Sequence, residues 1–229
     1  MRIAILGDIH GNLPALEAVV ADLETQAVDQ VWCSGDIGWG APWASECIAI
    51  VREAGWTTVK GNTDVWITGD PQTITEDDQR RELNELAAAH AISPEDAQWL
   101  INLPIGHSGA GSLLMIHATP KSPFTAPQPD ASSAEFLVYE GGAALVVYGH
   151  IHEAFVRRMS EGTLVANAGS VGLPKDGSTA SYLIVDRGGT DLLLRHRRVP
   201  FDIDDAIRRA EEVGGMLAAR YIESMRALR

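Results

Sequence analysis

Basic residues are scarce in this chain. Its 18 Lys and Arg stand against 31 Asp and Glu, a formal charge of −13. Long nucleic acid is held chiefly by clustered Lys and Arg on its phosphates, so no such partner is expected. Cysteine is scarcer still, two in 229 residues. Cys33 and Cys47 make neither a metal-type pair nor a disulfide framework, and read as buried reduced thiols. No stretch approaches the roughly 20 consecutive apolar residues that span a bilayer, so no membrane segment is expected. The residues after Met1 lack a signal-peptide pattern, and a cytoplasmic location is the default expectation. Internal repeats and low-complexity segments are absent, and no motif speaks to oligomeric state.

What remains is a chain with 45% hydrophobic residues, enough to bury a sizeable core. Arg2 to Leu6 is a short apolar run ending at Gly7, after which Leu13, Leu16, Val20 and Leu23 recur at helical spacing behind Asn12 as N-cap. The unit repeats, with Val28 to Ser34 as strand, Asp36 to Pro42 as loop and Trp43 to Ala54 as helix. A third strand, Thr57 to Lys60, leads to Gly61. Such alternation predicts an α/β sheet that begins with parallel strands and carries its ligands at their carboxyl ends.

Residues 65–111 then turn helical and polar. One helix is expected within Glu76 to His90 and another from Pro94 to about Asn102, started by Ser93-Pro94-Glu95-Asp96. This block is a helical insertion or partial lid, and its amphipathic pattern favours packing over a lid. Leu113 to Ile116 and Ala144 to Tyr148 are further apolar runs, separated by a proline-rich loop at Thr119 to Pro129. Antiparallel strands are expected at Phe155 to Met159, Thr163 to Ala166, Tyr182 to Asp186 and Leu192 to Val199, with a turn at Gly188-Gly189. An amphipathic helix from Ile203 onward closes the chain, with Arg226 and Arg229 near its end and a kink expected at Gly214-Gly215.

Five short segments stand where these strands run out: Gly7-Asp8-Ile9-His10, Gly35-Asp36, Gly61-Asn62-Thr63-Asp64, His117 and Gly149-His150-Ile151-His152. Asp64 aside, they offer two carboxylates, one amide and four imidazoles, a donor set suited to two divalent cations. Any one segment alone reads as a turn or a structural histidine. Their series along successive strand ends predicts a hydrolytic metal centre. Residues two apart on an extended chain share a side, so Asp8 and His10 are expected to grip one cation together. Cations against Asp8 and Asp36 would attract a small phosphorylated substrate into an otherwise acidic molecule.

This series resembles the calcineurin-like metallophosphoesterases, whose signature runs Asp-x-His, Gly-Asp, Gly-Asn-His-Asp or Glu, a lone His and Gly-His-x-His. Gly35-Asp36-Ile37-Gly38-Trp39-Gly40, Glu46-Cys47 and Asn167-Ala168-Gly169-Ser170-Val171-Gly172 resemble the small bacterial and archaeal branch. The resemblance implies a single domain over residues 1–229, built as a four-layer αββα sandwich of two mixed sheets flanked by helices. It implies two ions, manganese, iron or zinc. One would take Asp8, His10, Asp36 and His152, and the other Asp36, Asn62, His117 and His150. A hydroxide between them would attack the phosphorus of a phosphodiester or phosphomonoester. Asp36, Asn62, Thr63 and Asp64 are the implied catalytic positions.

Thr63 departs from the signature, since relatives often carry there the His assigned to protonate the leaving group. A hydroxyl is a poor acid at neutral pH, so help worth about 10²–10⁴-fold is missing or comes from elsewhere. Asp64 is expected to orient His10 or another ligand. His90, His107 and His196 read as packing or surface residues, His107 being the candidate substitute proton donor. Trp39 and Trp43 read as packing before they read as a stacking wall. Asn167 to Gly172 is expected to support His150 and His152. The alternative function is a non-catalytic metal-binding scaffold on the same fold, as in the retromer subunit that resembles these enzymes. Retention of all seven ligands argues against it.

Overall fold

The structure, a computed structural model, describes residues 1–69, 77–141, 143–189 and 191–228. The expected starting residue Glu76 and the terminal Arg229 lie outside the described residues. The chain begins with β1 (Arg2–Leu6), α1 (Leu13–Thr25), β2 (Gln30–Cys33), α2 (Ala44–Glu53) and β3 (Thr57–Thr58). Helices α3 (Asn62–Ile67), α4 (Asp77–Ala89) and α5 (Pro94–Asn102) follow, then β4 (Gly106–Gly109), β5 (Leu113–Ile116), α6 (Ser133–Phe136) and β6 (Leu145–Tyr148). The chain ends with β7 (Phe155–Arg158), β8 (Leu164–Asn167), β9 (Ala180–Gly188), β10 (Asp191–Val199), α7 (Ile203–Val213) and α8 (Gly215–Ala227).

The strands form two mixed five-stranded sheets, ordered β10-β9-β1-β2-β3 and β4-β5-β6-β8-β7. Alternation along each strand divides its side chains between two cores. In β1, Ile3 and Ile5 join Trp32, Met115, Val147 and Leu183 between the sheets. Ala4 and Leu6 face the other way, onto Leu16 and Val19 of α1, Ile48 and Val51 of α2, and Ala210 and Ala218 of the last two helices. Tyr148 and Val146 of β6 do the same on the far side, against Phe136 and Tyr139. Helices, sheet, sheet and a short helical segment thus make the expected αββα layers.

Local chemistry sets the helix starts. Asn12 Oδ1 accepts from Ala15 N at 3.2 Å, and Ser93 Oγ accepts from Asp96 N at 3.0 Å, with Pro14 and Pro94 in the first turns. The left-handed Gly214 (φ 68°) does more than kink the final helix. It separates α7 from α8, which pack against each other.

Two expectations change. Strand β8 pairs in parallel with β6, so the segment after His152 is not purely antiparallel. Gly106–Gly109, whose Gly-His-Ser-Gly has no apolar alternation, forms an edge strand through antiparallel bonds to β5. Asn62, Thr63 and Asp64 open the helix α3. No helix among the described residues is long and apolar enough to cross a membrane.

Candidate metal centre

Strands β1, β2 and β3 run parallel in one sheet and β5 and β6 run parallel in the other, so their carboxyl ends deliver the five segments to one place. Asp8 and His10 follow β1, Asp36 follows β2, and Asn62 opens α3 after β3. His117 follows β5, while His150 and His152 follow β6. All seven are brought together. Asp8, Asp36 and His117 are almost fully buried, and His150 and His152 are the partly exposed members.

The grip of Asp8 and His10 does not come from an extended chain. Asp8 (φ 51°), His10 (φ 53°), Asp36 (φ 56°), His150 (φ 67°) and His152 (φ 65°) all sit in the left-handed region. Asp and His tolerate that region better than most residues, but it still costs on the order of 1 kcal/mol each. Hydrogen bonds between the loops hold these turns: Ile9 N and His10 N donate to Asp36 O at 2.8 and 3.0 Å, and Gly172 N donates to Asp8 O at 3.0 Å. Two glycines let the loops approach. A Cβ on Gly61 would stand 2.0 Å from Asp36 Oδ1, and one on Gly172 would stand 1.9 Å from Ile9 O.

Backbone carbonyls orient three imidazoles. His10 Nδ1 donates to Trp39 O at 2.9 Å, His117 Nδ1 to Ser34 O at 2.8 Å, and His152 Nδ1 to Leu173 O at 2.9 Å. Each ring's Nε2 therefore carries its lone pair inward. His10 Nε2 and His152 Nε2 face each other at 3.0 Å, and His152 Nε2 lies 3.3 Å from Asp8 Oδ1. On the other side His117 Nε2 stands 2.9 Å from Asn62 Oδ1, which is 2.8 Å from His150 Nδ1. Where both atoms are acceptors, as for His10 Nε2 with His152 Nε2 and His117 Nε2 with Asn62 Oδ1, such distances call for positive charge between them. One ligand atom from each of Asp8, His10, Asp36 and His152 lies within 4.8 Å of the others, a group able to hold a metal ion. The residues present fit divalent cations.

Electrostatics agree. Burial works against charge on Asp8, yet His152, His117 and His10 around it hold its carboxyl well below the usual range. Burial, with His152 beside it, drives His10 down to about 4, so its ring is neutral at neutral pH. His150 is lowered by burial and by His117. His152 is opposed by burial but raised overall by Asp8. Asp64 is pushed up to about 6 by burial and by Asp36, against the pull of the amides of Ile37 and Gly61.

Asp64 aims at backbone. Its carboxylate accepts from Asp36 N and Ile37 N at 2.9 Å each and from Gly61 N at 2.8 Å, so the ligand it orients is Asp36. Thr63 N donates to Asp36 Oδ1 at 2.9 Å, while Thr63 Oγ1 is buried with no hydrogen-bond partner among the described residues. The 167–172 loop supports the centre directly: Asn167 Nδ2 donates to Gly149 O at 2.6 Å and Ser170 Oγ to Asp8 O at 2.7 Å.

The outlying histidines pack. His107 meets Trp32 edge-on with centroids 4.6 Å apart, at the inter-sheet core. His196 bonds to Asn167 O at 2.7 Å. His90 stacks on Trp39 at 4.9 Å and accepts from Gly40 N at 2.9 Å, steadying the loop whose carbonyl holds His10. Trp43 is buried against Tyr221. The carbonyls of Trp39, Ser34 and Leu173 were invisible to residue-type reasoning, because their contribution is made by the backbone.

Comparison with known proteins places this arrangement. Residues 1–190 match the model of the calcineurin-like phosphoesterase superfamily domain. The chain is 30% identical over 226 residues to the uncharacterized protein MJ0912 of Methanocaldococcus jannaschii, covering 89% of each. It is similar to the crystal structure of a metallophosphoesterase from Sphaerobacter thermophilus, with 27% identity, a TM-score of 0.76, and 98% and 99% of the two chains covered. It also shares its fold with hypothetical protein PH1004 from Pyrococcus horikoshii, at 20% identity and a TM-score of 0.74 over 99% and 97% of the chains. With the ordered ligand segments, the two-sheet sandwich and these likenesses in hand, the chain belongs to the calcineurin-like phosphoesterase superfamily.

Proposed function

We propose that this protein hydrolyses a phosphate ester, a diester or a monoester, at a centre holding two divalent cations that share Asp36. One observation carries the proposal: the two oxygens of Asp36 face separate donor sets, Oδ2 lying 3.6 Å from His10 Nε2 and Oδ1 lying 3.5 Å from His117 Nε2. Asp8, His10 and His152 would complete one ion's ligands, and Asn62, His117 and His150 the other's. Oxygen and nitrogen donors without thiolate suit manganese, iron or zinc.

When bound, the ions supply Lewis acidity toward the phosphoryl oxygens and lower the pKa of a water to make it a nucleophile. The residues of the chain do the rest. Asp64 and Gly61 hold Asp36 at the shared position, and the carbonyls of Trp39, Ser34 and Leu173 fix the imidazoles with their lone pairs inward. Substrate approaches from the side of His150 and His152, the least buried ligands. Thr63, its hydroxyl buried, supplies no acidic proton to the leaving group, so good leaving groups are favoured.

The test is turnover of p-nitrophenyl phosphate and bis(p-nitrophenyl) phosphate by manganese-loaded protein. Wild type should hydrolyse at least one, and Asp36→Ala should lower that rate by more than about 100-fold. Fully metallated wild type inert toward both would contradict the proposal and favour the scaffold.

A further inference from the structure

A cavity of about 190 Å³ adjoins the metal centre on the side of α8. It shares His10 with the centre, and its walls include Gly40, Leu173 and the α8 residues Arg220, Tyr221 and Ser224. It is therefore bounded by the two loops that hold the imidazoles of one donor set, since Trp39 O takes His10 Nδ1 and Leu173 O takes His152 Nδ1. Its other side is a helix lying beyond residues 1–190, the part that matches the superfamily model.

Most polar groups on these walls are already used within the protein. Tyr221 Oη donates to Asn12 Oδ1 at 2.8 Å, and Asn12 Nδ2 donates to Gly172 O at 2.9 Å. Ser224 Oγ turns back onto the carbonyls of Arg220 and Tyr221. Arg220 differs. Its guanidinium has a loose ion pair with Glu82 of α4, 3.6 Å apart with both side chains more than half exposed. Solvent and salt screen such a pair heavily, leaving the guanidinium able to exchange Glu82 for another anion. It is the one permanent cation among the described lining residues, in a chain of net charge −13.

Size limits what the cavity takes. Sites for whole small-molecule ligands run about 300–1,000 Å³, so about 190 Å³ accepts one substituent of a substrate rather than a base with its sugar. We propose that this cavity is a specificity subsite for a small, anionic ester substituent, a carboxylate or second phosphate, with Arg220 as the residue that selects it. The inference rests on the phosphoesterase reading and deepens it: the preferred substrate is a phosphoester carrying a second negative group close to the scissile phosphorus. A planar guanidinium suits that task, because it meets carboxylate and phosphate oxygens in pairs.

Two matched comparisons test it on the metal-loaded, full-length protein. Binding of phosphoglycolate is measured by calorimetry against binding of inorganic phosphate. Turnover of carboxymethyl p-nitrophenyl phosphate is measured against that of the ethyl ester, which has the same leaving group and lacks the carboxylate. Wild type should prefer the carboxylate-bearing member of each pair. Arg220→Gln should shrink that preference about 10–100-fold, and Arg220→Lys should retain part of it. Glu82→Gln, which removes the competing carboxylate, should enlarge it. A preference unaltered in Arg220→Gln, or absent from wild type, would overturn the inference. The two readings fail separately. Turnover of both esters with no Arg220-dependent preference would defeat the subsite and leave the hydrolase intact. Arg220-dependent binding of phosphoglycolate without turnover of either ester would do the reverse.

Discussion

Asp64 accepts the backbone N–H of Asp36 at 2.9 Å, so the carboxylate that begins one helix fixes the left-handed turn carrying the ligand between the two donor sets. The same side chain takes Ile37 N and Gly61 N. Asp64→Asn keeps the shape but turns an NH₂ toward amides that need an acceptor. It should cost about 1–3 kcal/mol in denaturant unfolding and weaken metal binding about 10–100-fold in titration. Wild-type affinity in the variant would show that Asp36 does not depend on Asp64.

Gly61 should be equally intolerant for a steric reason. A methyl group there would overlap Asp36 Oδ1, 2.0 Å away. Gly61→Ala should therefore displace Asp36, lower stability by about 1–3 kcal/mol and reduce bound metal measured by mass spectrometry. Full metal content would contradict the account of the turn.

Thr63 should separate stability from activity. Its buried hydroxyl has no partner among the described residues, so isosteric Thr63→Val should unfold at the same or a higher temperature, gaining up to about 1–2 kcal/mol. Since that hydroxyl is closed off from solvent and so from substrate, kcat/KM should stay within about 3-fold of wild type. A fall in both stability and kcat/KM would show that the hydroxyl has a partner in the working site.

Acid should act in a stated direction. The unfolded chain's histidines take up protons near 6.5, whereas buried His10 stays neutral to about 4 and His90, His150 and His196 are also depressed by burial. Through these histidines the unfolded state binds more protons, so their contribution to the stability of the metal-free protein falls as pH drops from about 6.5 toward 4, whereas Asp64, raised to about 6 by burial and Asp36, takes its proton earlier in the folded chain and opposes them. His10 alone contributes on the order of 3 kcal/mol. His152 works the other way: Asp8 raises it, so its contribution is present below 6.5 and fades as pH rises through its folded value. In the loaded protein, protons compete for the same nitrogens, and metal should be released on acidification through about pH 6. A metal-free His10→Gln variant whose thermal midpoint falls with acid as steeply as that of wild type would contradict this environment of His10.

The strands and the candidate ligands, which the fold gathers in one place, were legible because they are written in residue type. Leu113–Ile116 is an unbroken apolar run ending at His117, and Gly-His-x-His and Gly-Asp name their own donors. Gly106–Gly109 could not be found that way, since its strand character comes from bonding to β5. The left-handed turns at Asp8, His10, Asp36, His150 and His152 were hidden for the same reason: loop-to-loop hydrogen bonds impose them on residues without a strong preference of their own. Arg220 lies more than 200 positions from His10 in sequence, so its place beside that residue is a product of how α8 packs.

The central claim is that Asp36 joins two cation sites. Anomalous diffraction from crystals grown with manganese tests it most directly. The account predicts two peaks, one among Asp8, His10 and His152 and one among Asn62, His117 and His150, with a carboxylate oxygen of Asp36 toward each. A single peak, or metal bound away from Asp36, would contradict it.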